Sequence, residues 1–180
     1  MITLGTGVGS GVILDGKIYE GKLTGGSELG HSVIVEDGEL CTCGRRGCLE
    51  AYVSTTALIR DAKRKIASHR ESLLGKSYSE KVLTTEMIFA SAKAGDADAK
   101  EIIENYGKKL GTGIVNLVNI FRPQLILLGG EISEQGDQLL EFVNRELKET
   151  SFGGTKGEIP ELALASLGSK AGMIGAANLV

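Results

Sequence analysis

The 180-residue sequence has no apolar run near the roughly 18 residues that a membrane-spanning helix needs. Its N-terminus lacks the charged stretch, hydrophobic segment and small-residue cleavage site of a secretory leader. Together these absences predict a soluble, cytoplasmic chain with no membrane partner. Surplus charge is small as well. With 23 acidic and 20 basic residues the net charge is −3, which argues against a broad phosphate-backbone footprint and against nucleic acid as a partner. Cysteine is scarce: three residues, all between positions 41 and 48. A set that is odd in number and this crowded is not a disulfide framework, and a reducing compartment keeps it as thiols. No internal repeat or low-complexity tract is evident.

What is present suits a folded α/β chain. Apolar residues make up 42% and charged residues 24%, ordinary globular usage for one domain or a domain with a small appendage. Glycine is abundant, 26 residues or about 14% against a usual share of about 7%, and clustered, which predicts tight turns and backbone amides that touch a ligand. A strand pattern at residues 2–4, the run Gly5-Thr6-Gly7-Val8-Gly9-Ser10-Gly11, strands at 12–14 and 17–19 and the turn signal Asp15-Gly16 predict a β-meander. A short strand is expected at 33–35, before a turn at Asp37-Gly38. From Leu49 to Ile66, apolar residues at spacings of three and four predict one amphipathic helix. Its other face, with Arg60, Lys63, Arg64, Lys65 and Arg70, reads as a solvated face before it reads as a patch for an anionic partner.

Residues 68–81 have weak periodicity and read as a loop with at most a short helical turn. Thr84 or Thr85 then caps a helix through Lys93, and Asp96 caps a long one toward Phe121, ended by Arg122-Pro123. An apolar strand at 125–128 ends in Gly129-Gly130. A helix at about 134–149, a strand at 162–165 and a small-residue helix at about 171–180 follow. A hairpin-rich start before alternating helices and strands predicts a mixed sheet with helices packed on it.

The glycine run fails both common phosphate motifs: its glycines alternate where a dinucleotide fingerprint needs the first, third and sixth positions, and no Gly-Lys-Ser/Thr closes it. Two readings stand. The amides of Gly5, Thr6 and Gly7, with the Thr6 hydroxyl, face one anion, or the run is a glycine-rich turn or bulge without a ligand. The spacing His31-x9-Cys41-x-Cys43-x4-Cys48 matches a closed tetrahedral zinc site whose role is structural, because four protein ligands leave no open position. Three buried free thiols are the alternative. Beside this loop lie Glu28 and Glu50. Two carboxylates and a histidine nitrogen suit the hydroxyls of a polyol; a surface ion pair at Glu28 and a helix-start acid at Glu50 are the plainer readings.

The order Gly5-Thr6-Gly7-x-Gly9, Glu28-Leu29-Gly30-His31, Cys41-x-Cys43-Gly44-x-x-Gly47-Cys48-x-Glu50 closely resembles the ROK family of repressors, open reading frames and sugar kinases, above all its glucokinases. The resemblance extends over essentially the whole chain. It implies an actin-like ATPase (ribonuclease H-like) lobe with zinc held by His31, Cys41, Cys43 and Cys48 in a loop spanning 31–48. It further implies that Glu28, His31 and Glu50 contact sugar hydroxyls, that Gly5, Thr6 and Gly7 form a phosphate loop, and that Gly129 and Gly130 lie beside adenosine. The family's first phosphate loop and its general-base aspartate are absent from this sequence, and Asp15 and Asp37 read as turn residues. Residues 1–180 are therefore expected to be the C-terminal lobe of an ATP- and Mg²⁺-dependent hexose kinase, with glucose as the expected sugar, inactive alone and dimeric in its parent. The alternative is the sugar-sensing part of a ROK-type repressor.

Overall fold

The computed structural model of the protein describes residues 1–78 and 82–178. β1 (Ile2–Leu4) turns at Gly5–Gly7 into β2 (Val8–Ser10), its antiparallel neighbour with Ile2 opposite Ser10 and Thr3 opposite Gly9. The second strand thus begins inside the glycine run, earlier than its sequence suggests. The cause is local: a Cβ at Gly9 would lie 2.8 Å from Thr3 Oγ1, so a bare backbone lets β2 lie across β1. β3 (Ile13–Leu14) and β4 (Lys17–Ile18) leave the main sheet and form a hairpin of their own. Asp15 (φ 52°) and Gly16 (φ 75°) close it with the paired positive φ angles of a type I′ turn.

The expected strand at 33–35 is reduced to one bridge, Val33 to Cys48. The amides of Ile34 and Val35 both turn to the Gly47 carbonyl, at 2.9 and 3.3 Å, and so serve the cysteine loop. The single helix expected from Leu49 is two, α1 (Glu50–Val53) and α2 (Thr55–Ser68). Ser54 separates them in an extended conformation, and its hydroxyl accepts from the Ala57 amide at 3.1 Å as an N-cap. α3 (Leu73–Tyr78) occupies most of the segment read as a loop; Leu74 is fully buried, and its amide is held by Asp96 Oδ2 at 2.9 Å. Residues 79–81 of that segment lie outside the described residues.

α4 (Thr85–Lys93) and α5 (Ala97–Phe121) begin at their expected caps, Thr84 and Asp96, and Arg122 ends α5 in a left-handed conformation. β5 (Leu125–Gly129), α6 (Asp137–Thr150), β6 (Glu161–Leu164) and α7 (Ala171–Ala177) complete the chain. The turn of 3-10 helix at Glu131–Gln135 takes the place of the expected start of α6, and positions 179–180 of the expected last helix lie outside the described residues. β5 pairs in parallel with both β1 and β6, giving the mixed sheet β2-β1-β5-β6. Its Ile2, Leu4, Ile126 and Leu128 share one core with Ile103, Leu110 and Ile114 of α5 and Leu139 and Val143 of α6. The two long helices approach closely because α5 offers bare backbone there: Cβ atoms at Gly107 and Gly111 would meet Phe142 at 2.8 Å and Glu146 at 2.4 Å. Among the described residues no helix is long and apolar enough to cross a membrane. The basic face of α2 is interleaved with acids: Arg60 meets Asp61 and Glu39, Arg64 meets Glu39, and Lys65 meets Glu101.

Candidate functional site

The carboxyl ends of β1 and β5 lie side by side, where ligands of open α/β sheets bind. At the end of β1, the Gly5 amide donates to the Gly7 carbonyl at 3.0 Å, so it is spent inside the turn. Of the three amides expected to face an anion, those of Thr6 and Gly7 are left. Thr6 itself is exposed. At the end of β5, Gly130 (φ 88°) presses on β1 so tightly that a Cβ would lie 2.5 Å from the Leu4 carbonyl oxygen. The glycine turn and Gly129-Gly130 thus share one edge of the sheet.

The turn is anchored from behind by the start of α2. The Thr55 amide donates to the Gly5 carbonyl at 2.8 Å, and the Thr56 hydroxyl donates to the Thr6 carbonyl at 3.3 Å. The first amides of a helix have no partner within it. The break at Ser54 therefore frees one such donor, the Thr55 amide, where the turn needs it, which a continuous helix would not.

His31, Cys41, Cys43 and Cys48 converge, their ligand atoms all within 4.8 Å of one another. Cys41 Sγ is 3.7 Å from His31 Nδ1, and Cys43 Sγ is 3.7 Å from Cys48 Sγ. A tetrahedron with metal–sulfur bonds of about 2.3 Å and metal–nitrogen bonds of about 2.0 Å has edges of roughly 3.5 to 3.8 Å. The donor set and these two edges fit a zinc ion. The backbone makes the enclosure. Gly44 (φ 86°) and Gly47 (φ 81°) take left-handed conformations, and a Cβ at Gly47 would lie 1.7 Å from the Val35 carbonyl oxygen. Burial, with the neighbouring Cys43 and Cys41 thiols, pushes Cys48 up to about 12, whereas the Arg45 backbone N–H holds the exposed Cys43 thiol below its ordinary range. A buried thiol that resists ionisation alone becomes a thiolate only beside a cation.

Glu50, the first residue of α1, ties this loop to the glycine turn. Its Oε2 accepts the Val8 amide at 2.9 Å, and its Oε1 accepts the Thr42 hydroxyl at 2.8 Å with Cys41 Sγ at 3.8 Å. Burial pushes its carboxyl up, but the Val8 amide, the Thr42 hydroxyl and His31 outweigh it and hold the group below the usual range. A Cβ at Gly7 would lie 2.7 Å from Glu50 Oε2, so Gly7 is bare in order to admit this carboxylate.

Glu28 enters the turn of 3-10 helix at Leu29–His31 as its N-cap residue and accepts the His31 amide through its carbonyl at 3.1 Å. Its carboxylate is exposed and makes no hydrogen bond or ion pair among the described residues. The segment is nonetheless pinned to β2: the Leu29 amide donates to Ser10 Oγ at 3.2 Å, Ser10 Oγ donates to the Ser27 carbonyl, and Gly30 packs on the Val8 carbonyl. His31, the cysteines and Glu50 are thus brought together; Glu28 is carried on the same turn but stands apart from their contacts. Sequence reasoning missed Thr42, the spacer of Cys-x-Cys, and Thr55 and Thr56. For the threonines of α2 a signal existed, since Ser54-Thr55-Thr56 before an apolar stripe reads as a cap; for Thr42 there was none.

The ROK family profile matches residues 1–180. Glucokinase of Halalkalibacterium halodurans is 38% identical over 182 aligned positions, which take in 100% of this chain and 55% of that protein. The xylose repressor of Bacillus subtilis is 31% identical, over 99% of this chain and 43% of the repressor. Among solved structures, a ROK family glucokinase from Streptomyces griseus in complex with glucose and AMPPNP superposes with a TM-score of 0.88 at 34% identity, over 99% of this chain and 59% of that one. The chain spans about half the length of the relatives it matches. Its fold is that of the ROK glucokinases, and the chain belongs to the ROK family.

Proposed function

We propose that the chain is the C-terminal lobe of an ATP-dependent hexose kinase of the glucokinase type. In the whole enzyme the γ-phosphoryl of ATP passes, with Mg²⁺, to a sugar hydroxyl, glucose being the substrate we favour. The observation that carries this reading is the Glu50 carboxylate, bonded through one oxygen to the metal loop and through the other to the glycine turn. In this reading an acid that meets the sugar stands beside a turn that meets the phosphate. In this assignment Glu28, His31 and Glu50 orient the sugar, and Thr6 with the Thr6 and Gly7 amides holds phosphate. Gly129 and Gly130 give adenosine a close approach. His31, Cys41, Cys43 and Cys48 hold Zn²⁺, which stiffens the loop and supplies no chemistry, since all four positions are taken. Asp15 and Asp37 stand in turns with φ of 52° and 51°, so the general base comes from the other lobe. Positioning and electrostatics dominate phosphoryl transfer, and half a phosphate clamp alone is expected to be inactive. The same reading has the enzyme act in the cytoplasm as a homodimer, with no membrane or nucleic-acid partner through this lobe.

The test is kinetic. In the full-length protein, Glu28→Ala and Glu50→Ala raise KM for the sugar more than for ATP; the reverse ranking overturns the assignment. The resemblance to xylose repressors at 31% identity supports a second reading, a sugar sensor without transfer chemistry. A helix-turn-helix segment upstream, with sugar binding and no ATP turnover, would establish it.

A further inference from the structure

We propose that Thr42 is a positioning residue for Glu50, locking the carboxylate between the metal loop and the glycine turn so that it is aimed at the sugar. The proposal rests on the kinase reading for the sugar, and on this chain alone for the lock.

Three observations carry it. The first is geometric: Thr42 Oγ1 donates to Glu50 Oε1 at 2.8 Å while the Val8 amide holds Oε2 at 2.9 Å, so both oxygens are fixed from opposite sides. The second concerns the platform. Thr42 is exposed, and an exposed hydroxyl is normally free to rotate away, but this one sits between two cysteines on a folded loop. There the Cys41 amide donates to the Arg45 carbonyl at 2.8 Å and the Gly44 amide donates to the Cys41 carbonyl at 3.0 Å. The third is chemical. Among the described residues the other hydrogen-bonding contact at Oε1 is Cys41 Sγ, at 3.8 Å. A thiol is a weak donor, and at that distance it leaves the Thr42 hydroxyl, at 2.8 Å, as the strong donor to that oxygen. Without it, Glu50 retains one anchor and can swing about its own side chain.

The test uses Thr42→Val, which keeps the shape and removes the donor, and Thr42→Ser, which restores it. In the full-length enzyme, Thr42→Val raises KM for the sugar about tenfold, the loss expected for one hydrogen bond to a charged group, with kcat and KM for ATP within about twofold. Thr42→Ser returns the sugar KM to near the wild-type value. Metal content, measured alongside, stays at the wild-type level in both. The second readout needs no turnover. In the ¹H–¹⁵N spectrum of this chain loaded with zinc, the Val8 amide proton, shifted downfield by its carboxylate acceptor, moves upfield in Thr42→Val and returns in Thr42→Ser. A wild-type enzyme that phosphorylates no hexose overturns the kinase reading, and the Val8 resonance then decides on the lock alone. An unmoved Val8 resonance in Thr42→Val refutes the proposal, as does an active enzyme whose sugar KM ignores that substitution.

Discussion

Gly5 and Gly7 stand two residues apart in the same turn, yet the structure expects opposite outcomes when each becomes alanine. At Gly7 the new methyl would lie 2.7 Å from Glu50 Oε2, so the carboxylate has to retreat by roughly 0.7 Å to reach ordinary van der Waals separation. From its present 2.9 Å, that retreat carries the Val8 amide out of hydrogen-bonding range. A free glutamate would simply swing aside, but this one is also held by Thr42 at 2.8 Å. The expected cost is that of a hydrogen bond to a charged acceptor, about 1.5 to 3 kcal/mol. At Gly5 a Cβ meets nothing within 4 Å and φ is not left-handed, so Gly5→Ala leaves stability unchanged or raises it by a few tenths of a kcal/mol, up to about 1 kcal/mol. Urea denaturation measures both, and a double-mutant cycle isolates the cause: in a Glu50→Ala background Gly7→Ala should cost almost nothing, because the obstacle is gone. Equal midpoints for the two alanine variants, or a Gly7→Ala penalty that survives removal of the Glu50 side chain, would refute the reasoning.

Two further expectations concern the frame around the site. Asp96 caps α5 through Ala99 and holds α3 through Leu74, both at 2.9 Å, with 5% of its surface exposed. Asp96→Ala should therefore lower unfolding stability by about 3 kcal/mol, the sum of a lost cap and a stranded buried amide. Burial pushes its carboxyl up, but the amides of Ala99, Leu74, Asp98 and Leu73 outweigh burial and hold it below the usual range. A depressed native pKa stabilises the fold fully above the unfolded value of about 3.9 and loses that contribution as pH falls through the native value. The acid limb of the stability–pH curve should accordingly be flatter in Asp96→Asn than in the wild type. For the metal loop, elemental analysis should find about one zinc per chain, and both chelation and Cys43→Ser should lower the melting temperature. A metal-free chain of equal stability would show that the cluster is ornamental.

Features set by neighbours in sequence were legible before the structure. The Asp15-Gly16 hairpin, the caps at Thr84 and Asp96 and the stop at Arg122-Pro123 each follow from the conformational habits of a few adjacent residues. So does the convergence of His31, Cys41, Cys43 and Cys48, because four such side chains at short spacings have few other uses. What escaped depends on partners far along the chain. The break at Ser54 is masked because α1 is a single turn, and the apolar stripe from Leu49 to Ile66 keeps its phase across it. The strand expected at 33–35 lost its ladder to the Gly47 carbonyl, twelve or more residues away. α3 forms in a weakly periodic segment because the Asp96 carboxylate, 22 residues from Leu74, receives one of its amides. Glu28 was singled out by its place three residues before His31 and by resemblance to a motif; its carboxylate, exposed and without a partner among the described residues, shows why spacing alone did not distinguish it from a surface acid.

The glycine run now divides by cause, and the division separates architecture from ligand. Within the run Gly9 is bare for Thr3 and Gly7 for Glu50, as outside it Gly30 is for the Val8 carbonyl; each would be glycine whether or not anything bound. Gly5 and Gly11 have no such reason among the described residues: no neighbour approaches either, and neither backbone is left-handed; of the two, Gly5 stands in the turn at the carboxyl end of β1. A glycine the fold does not require is where the approach of another molecule's atoms best explains the missing side chain. On this argument and on the proposed kinase reading, Gly5→Ala, harmless to folding, should raise KM for ATP in the full-length protein, whereas Gly7→Ala should act first on the sugar through Glu50. If both substitutions shifted the same KM, the division would fail, and the turn would have to be treated as a single phosphate cradle.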